Sequence, residues 1–275
     1  MTIEHWLRDA TRELQAAAVP SAQLDAELLL AETLRRPRTF LHAHPAEEID
    51  PRRRDIADAR LSLRLDRVPM AYILGRKEFY GREFTVSPRV LIPRPESEMM
   101  ITLLLELAPK DNRPKTLLDV GTGSGCLGIT AALELPPNWH VILSDVSSPA
   151  LDVAKSNAKR LGAKVFCQKQ SLLTGQIEKV DCILANLPYV DAAWETSPEL
   201  RHEPAEALYA DEGGLRLIRQ LIQQAPLHMT KQGLLLLEAD EEQHQTIIGF
   251  GRNQGFDYVT TRDMIVALRF IGAES

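Results

Sequence analysis

Over the first seventy residues the apolar positions recur at helical rather than alternating spacing. The run SAQLDAELLLAETL offers Ser21 as an N-cap and places Leu24, Leu28 and Leu29 on one predicted face. The run DPRRRDIADARLSLRL offers Asp50 as N-cap, Pro51 at the first helical position, and Ile56 and Leu63 among its apolar residues. Pro20, Pro37 and Pro45 punctuate the segment, so residues 1–72 predict a bundle of four or five short helices. Residues 73–95 change period. Aromatic and β-branched residues flank Gly81, which predicts a β-hairpin, and Pro88, Pro93 and Pro95 then stop any regular element.

From residue 96 short apolar runs alternate with helical ones. Strands are predicted at 116–120, 141–146, 164–168, 180–186 and 233–240, with helical stretches at SPALDVAKSNAKRLG and around 213–229. The end, FDYVTTRDMIVALRF, reads as two strands joined by a tight turn near Arg262–Asp263. Such alternation predicts a mostly parallel sheet covered on both faces, with an antiparallel hairpin at its edge. The division expected is therefore 1–72 as a helical bundle, 73–95 as a hairpin connector and 96–275 as an α/β domain.

Charge sharpens this picture more than composition does. The 275 residues are 44% apolar and 25% charged, ordinary globular values that exclude disordered and fibrous classes. Net charge is −6, distributed as −1 over 1–72, +3 over 73–95 and −8 over 96–275. No whole-chain basic footprint for nucleic acid exists. The first segment carries 11 Arg and no Lys, expected on a solvated face with acidic partners one turn away, or alternatively on a docking surface. Cys126, Cys167 and Cys182 are odd in number and lack CxxC spacing. No zinc cluster or disulfide framework is expected, and with no apolar leader or spanning run a cytoplasmic location is.

Two loops carry the candidate chemistry. Asp119-Val120-Gly121-Thr122-Gly123-Ser124-Gly125 follows the first α/β strand and opens a helix. Its GxGxG spacing matches neither the dinucleotide fingerprint nor a phosphate-binding Walker loop. Asp145 ends the next strand, placed to accept hydrogen bonds from ribose hydroxyls. Together they point to a nucleoside cofactor that needs a ribose but not a phosphate. The fourth strand of this domain ends in Asn186-Leu187-Pro188-Tyr189 and is expected beside the cofactor strand. The Asn186 side-chain carbonyl is an acceptor, Pro188 can turn the Leu187 carbonyl into the site, and Tyr189 offers a planar face. Two acceptors beneath an aromatic ring suit a planar –NH2 group.

The GxGxG loop, the ribose acid and the Asn-x-Pro-Tyr loop resemble S-adenosylmethionine-dependent amino-methyltransferases. Within them the chain resembles the release-factor glutamine methyltransferase (HemK-type) family. The likeness is carried by Ala71-Tyr72-Ile73-Leu74-Gly75, Glu78-Phe79-Tyr80-Gly81, Val90-Leu91-Ile92-Pro93-Arg94-Pro95-Glu96-Ser97-Glu98, Glu203-Pro204-Ala205-Glu206-Ala207-Leu208 and Gly214-Leu215. Leu187 stands where that family usually has Pro, and Gln170-Ser171 where it commonly has an acid near the adenine.

The resemblance implies a Rossmann-like S-adenosylmethionine-dependent fold preceded by a helical domain that docks the substrate. It implies S-adenosyl-L-methionine at Gly121, Thr122, Gly123, Ser124, Gly125, Asp145, Ser171 and Asn186, catalysis by Asn186, Leu187, Pro188 and Tyr189, and no metal. The expected reaction is methyl transfer to the glutamine amide nitrogen of the Gly-Gly-Gln motif in class I peptide chain release factors. The expected partner is thus a protein, with no membrane or direct nucleic acid required, and the enzyme is expected to be a monomer. The alternatives are a methyltransferase for exocyclic amino groups of adenine or cytosine in nucleic acid, and a non-enzymatic scaffold with the same fold.

Overall fold

A computed structural model describes residues 1–176 and 178–272. The chain forms two compact units, Met1–Arg76 with Thr196–His202, and Lys77–Glu195 with Glu203–Ser275.

The first unit is helical: α1 Ile3–Ala16, α2 Ala22–Leu34, α3 Arg38–Ala43, α4 Pro51–Leu65 and α5 Met70–Leu74. Trp6, Leu14, Leu29, Leu30 and Leu41 build its core. The Asp50 carboxylate accepts from the backbone N–H groups of Arg52 and Arg53, closing the amino end of α4 as its sequence predicts. Ser21 makes no such bond at α2. Of the bulky residues chosen from the pattern, Leu29 is fully buried and Leu28 partly so, but the others are not. Leu24, Ile56 and Leu63 are exposed, whereas α4 buries Ala57, Leu61 and Arg64, a face of smaller or charged residues at the same helical spacing.

Only Arg12, paired with Asp9 one turn away, shows the expected local pairing among the described ion pairs of this unit; the less exposed pairs do not follow it. Arg64 Nε donates to Asp25 Oδ2 at 2.7 Å, and its Nη1 donates to Glu199 Oε1 at 3.1 Å. Arg67 meets the same Glu199 oxygen at 2.7 Å. Arg38 donates to Glu27 and Arg76 to Glu32. These pairs join separate elements, because a buried charge needs an opposite charge wherever packing brings one.

The second unit opens with the hairpin β1 Arg76–Phe79 and β2 Arg82–Thr85. Tyr80 and Gly81 both have positive φ at its two-residue turn, the hand that matches strand twist. A short 3-10 turn, Pro95–Ser97, leads into α6 Glu98–Leu107, a helix not read from the sequence. Then come β3 Lys115–Val120, α7 Cys126–Glu134, β4 Trp139–Asp145, α8 Ser148–Leu161, β5 Val165–Lys169 and β6 Val180–Ala185. α9 Arg216–His228, β7 Met229–Glu238, α10 His244–Asn253, β8 Phe256–Arg262 and β9 Ile265–Phe270 complete it.

The seven-stranded sheet has the order β5-β4-β3-β6-β7-β9-β8. Its first five strands are parallel, and β9 pairs antiparallel with both β7 and β8. Side chains alternate between the two faces. Leu118, Ile183 and Leu235 meet α9 and α10, while Leu117, Leu184 and Leu236 meet α6, α7 and α8. Both faces are dry, which is why these strands read as near-continuous apolar runs. The connections reverse direction between β3 and β6, so the crevice lies beyond the carboxyl ends of these strands. Among the described residues no helix is long and apolar enough to cross a membrane.

Candidate active site

A cleft opens at those strand ends. Its lining takes in the 121–124 loop, Asp145, Ser171, Asn186, Leu187 and Pro188, and also Val90 and Ile92 from the stretch after the hairpin. Gly125 forms the αL cap that starts α7 behind the loop, and Tyr189 lies outside the lining.

The glycine loop is held from below by Asp119, at the end region of β3. Its Oδ2 accepts from Thr122 Oγ1 at 2.6 Å and from the Gly128 N–H at 2.9 Å. That clamp ties the loop to the first turn of α7. The Oδ1 of Asp119 is buried without a partner among the described residues, and burial pushes the carboxyl up to about 6. Gly121 has φ +70°, and a Cβ there would come within 3.1 Å of the Leu187 side chain. The left-handed backbone favours glycine here, and the close approach of the two loops leaves little room for a Cβ.

Asp145 ends β4 and faces the cleft. Its Oδ2 accepts from the Gly123 N–H at 2.9 Å, and Oδ1 accepts from the Ser147 N–H at 2.8 Å. Burial raises its pKa while these backbone bonds oppose the rise. Each oxygen keeps a second lone pair, so the carboxylate can still accept from ligand hydroxyls.

Asn186 follows β6. Its Nδ2 donates to Ser97 Oγ at 3.1 Å. Ser97 is itself buried and donates to Glu238 Oε2 at 2.5 Å. Neither Asn186 Oδ1 nor the Leu187 carbonyl receives a hydrogen bond from any described residue. Both are open acceptors beside one cleft, in a structure where most buried polar groups are satisfied. Tyr189 was expected to present its ring to the site. Instead its hydroxyl reaches Glu238 Oε1 at 3.4 Å and its ring packs on the core beside α9. A half-buried phenol needs a polar partner, and the carboxylate at the end of β7 supplies it.

The far side of this loop is fixed by Gly214 and Gln243. The Gln243 Nε2 donates to the Tyr189 carbonyl at 3.0 Å and to the Gly213 carbonyl at 2.7 Å. A Cβ on Gly214 would sit 1.9 Å from the Tyr189 carbonyl oxygen, so only glycine allows this contact. Glu203 fixes the opposite wall. Its Oε2 accepts from the Ile92 N–H at 3.0 Å, and Oε1 accepts from Arg94 Nη2 at 2.6 Å.

Ser97 and Glu238 have no counterpart among the residues assigned a role from the sequence. Glu238 gave one usable signal, a carboxylate closing the apolar run GLLLLE. It is 1% exposed, and burial pushes its carboxyl up to about 7 against the opposing bonds from Ser97 and Tyr189. The three cysteines are unpaired, and burial pushes the Cys126 thiol up to about 12, away from the thiolate form a nucleophile needs. Among the described residues no group of three His, Cys, Asp or Glu is placed to hold a metal ion.

Comparison with known proteins follows this geometry. Two family models match: the PrmC N-terminal domain over residues 5–75 and the Methyltransferase small domain over residues 98–249. A release factor glutamine methyltransferase from Koribacter versatilis is 39% identical over 86% of this chain and 86% of its own length. One from Deinococcus radiodurans is 36% identical over 99% of this chain and 98% of its own. Among solved structures, a 16S rRNA methyltransferase from T. thermophilus in complex with AdoMet and guanosine superposes with a TM-score of 0.52. It is 14% identical, over 72% of this chain and 50% of that one, a likeness of fold alone.

Proposed function

Because the chain belongs to the release factor glutamine methyltransferase family, we propose that it methylates the side-chain amide nitrogen of the Gly-Gly-Gln glutamine in class I release factors. S-adenosylmethionine supplies an electrophilic methyl group on a sulfonium. The observation that carries the reading is the pair of open acceptors, Asn186 Oδ1 and the Leu187 carbonyl, beside the glycine loop.

The residues present fit that cosubstrate. Asp145 offers free lone pairs for ribose hydroxyls, Gly121 and Gly123 place no side chain in the cleft they line, and Ser171 lines the same wall. Thr122 and Ser124 are small and turned into the loop. No positive side chain is required where a ligand carries no phosphate.

An amide nitrogen is a weak nucleophile because its lone pair is delocalised. Asn186 Oδ1 and the Leu187 carbonyl would each accept one N–H of the glutamine amide, which aims the lone pair and favours pyramidal nitrogen. Pro188 limits the conformations of Leu187 and so keeps its carbonyl directed. As positive charge develops on nitrogen, two preset dipoles stabilise it without reorganising. Neither acceptor is a base near neutrality, so they orient protons rather than remove them, and the excess proton leaves to water. Tyr189 braces this arrangement through its hydroxyl bond to Glu238. Gly214 and Gln243 hold the loop's exit. The helical unit is proposed to hold the body of the protein substrate.

The test is label transfer from methyl-radiolabelled S-adenosylmethionine to an unmethylated class I release factor, to its Gly-Gly-Ala tip variant, and to ribosomal RNA. Label is expected on the release factor only and lost in the tip variant. Label on RNA alone would replace this reading with the exocyclic-amine one.

A further inference from the structure

Resting on that reading of the cleft, we propose that Ser97 is a positioning residue for the transfer: its hydroxyl, oriented by the buried Glu238 carboxylate, locks the Asn186 side-chain amide with its oxygen toward the substrate.

The argument is one of proton direction. An asparagine amide can be turned by half a rotation, exchanging its oxygen and nitrogen with little change in shape. Only one of the two orientations gives the glutamine an acceptor. The structure selects between them through a chain of three groups. Glu238 Oε2 lies 2.5 Å from Ser97 Oγ, so the serine proton must lie between them when Glu238 is ionised. With its proton committed, Ser97 Oγ can only accept from its other neighbour. That neighbour, 3.1 Å away, is therefore the Asn186 Nδ2 group, and Oδ1 is left facing the cleft.

The opposite orientation is unfavourable at two points. The Asn186 oxygen would face Ser97 Oγ and take its proton. Ser97 would then present a bare oxygen to a carboxylate oxygen at 2.5 Å, an arrangement relieved only when Glu238 is protonated, so the lock holds where Glu238 is ionised, above its pKa of about 7. Two buried acceptors at that separation repel, with no water to screen them. The lock belongs to the 3-10 turn before α6 and to the end of β7, distant in sequence from Asn186 by 89 and 52 residues respectively.

The surroundings keep the chain of bonds intact. Tyr189 donates to the other Glu238 oxygen, so both carboxylate oxygens are engaged, and the carboxylate also draws the Asn186 amide N–H toward itself, which favours the same orientation. Glu96 from the same turn raises the proton affinity of Glu238, and Cys126 on α7 feels its charge. Arg94 acts on Tyr189 in the opposite sense to Glu238 and is itself tied to Glu203. Ser97 is 2% exposed and lines the cleft floor, where it donates no bond to a backbone group. Its hydroxyl has no cap to make at α6, whose amino end shows no side-chain capping bond.

The test compares Ser97→Thr with Ser97→Val, which add similar bulk but differ in the hydroxyl, and adds Ser97→Ala, which adds none. Steady-state methylation of the release factor gives kcat and KM, and calorimetry gives the Kd for S-adenosylmethionine. The alanine and valine variants are expected to lose about tenfold or more in kcat, short of the ~10²–10³ typical for deleting a direct transition-state contact. The threonine variant is expected to stay at least about fivefold above valine, with all cofactor Kd values within about threefold of the parent. Equal kcat for threonine and valine, or parental kcat in alanine, would overturn the proposal, as would a loss confined to KM or Kd. A parent enzyme that binds S-adenosylmethionine but leaves the release factor unlabelled overturns the functional reading, and this inference with it.

Discussion

The two units bury carboxylates in opposite ways. In the helical unit each is met by a guanidinium: Asp25 by Arg64, Glu27 by Arg38, and Glu199 by Arg64 and Arg67. The arginines offset the burial of Glu199 and hold its carboxyl down at about 2, and Glu27 is lowered likewise. In the α/β unit, Asp119, Asp145 and Glu238 meet only hydroxyls and N–H groups. All three are raised, with burial as the main cause. The paired carboxylates join elements. The raised ones each fix a polar group at the carboxyl end of a strand. Glu203 stands between the classes, since it pairs with Arg94 and also holds the Ile92 backbone. An ion pair thus marks a brace, and a buried carboxylate without a cation marks the site.

Removing Arg64 breaks that comparison most sharply. Arg64→Ala leaves Asp25 buried without its cation, so stability is expected to fall by about 3–5 kcal/mol. A shift in the denaturant midpoint at constant slope measures it. Equal stability would mean the pairs are not braces.

Asp145→Ala gives the next effect, on binding rather than folding. Loss of the carboxylate removes the proposed acceptors for the ribose and frees the Gly123 N–H. Cofactor Kd is expected to rise about tenfold or more, as for lost charge-assisted hydrogen bonds worth roughly 1.5–3 kcal/mol. Calorimetric titration with S-adenosylmethionine reads this out, and unchanged affinity would remove Asp145 from the ribose role.

Acid–base behaviour gives the finest test, because the classes carry opposite signs. Glu238 has a folded pKa of about 7, above its usual 4.5, so the folded state holds its proton more tightly. Its contribution is fully present below pH 4.5 and is lost as pH rises through 7. Asp119 behaves alike between 3.8 and about 6. Glu199 is the reverse: its contribution is present above pH 4.5 and is lost as pH falls toward 2. Raising the pH from 5 to 8 is therefore expected to weaken amide protection in the strand ends of the α/β unit more than in α2 and α4. Uniform change across both units would erase the distinction.

Much of the α/β fold was legible because its strands are dry on both faces and bounded by glycine and proline. The mostly parallel strands and the antiparallel end agree with the sheet expected from the sequence. The helical unit was legible in type but not in face. Ile56 and Leu63 drew attention by size, while the buried side of α4 is marked by Ala57, Leu61 and Arg64. A charge paired across elements leaves no local spacing to read. The same reason hides Ser97 and Glu238, which are 141 residues apart and meet only in the folded sheet. Tyr189 stood in a motif that suggested stacking, but its partner at the end of β7 could not be inferred from the loop alone.

The most direct measurement is the split between kcat and cofactor affinity in Asn186→Ala. Methylation of the release factor and calorimetric titration of S-adenosylmethionine are read on the same preparation. The account expects kcat to fall by about 10²–10³ for loss of a preset transition-state contact, with cofactor Kd within about threefold. Methylation at the parental rate would contradict it, and so would a loss that appears wholly in Kd.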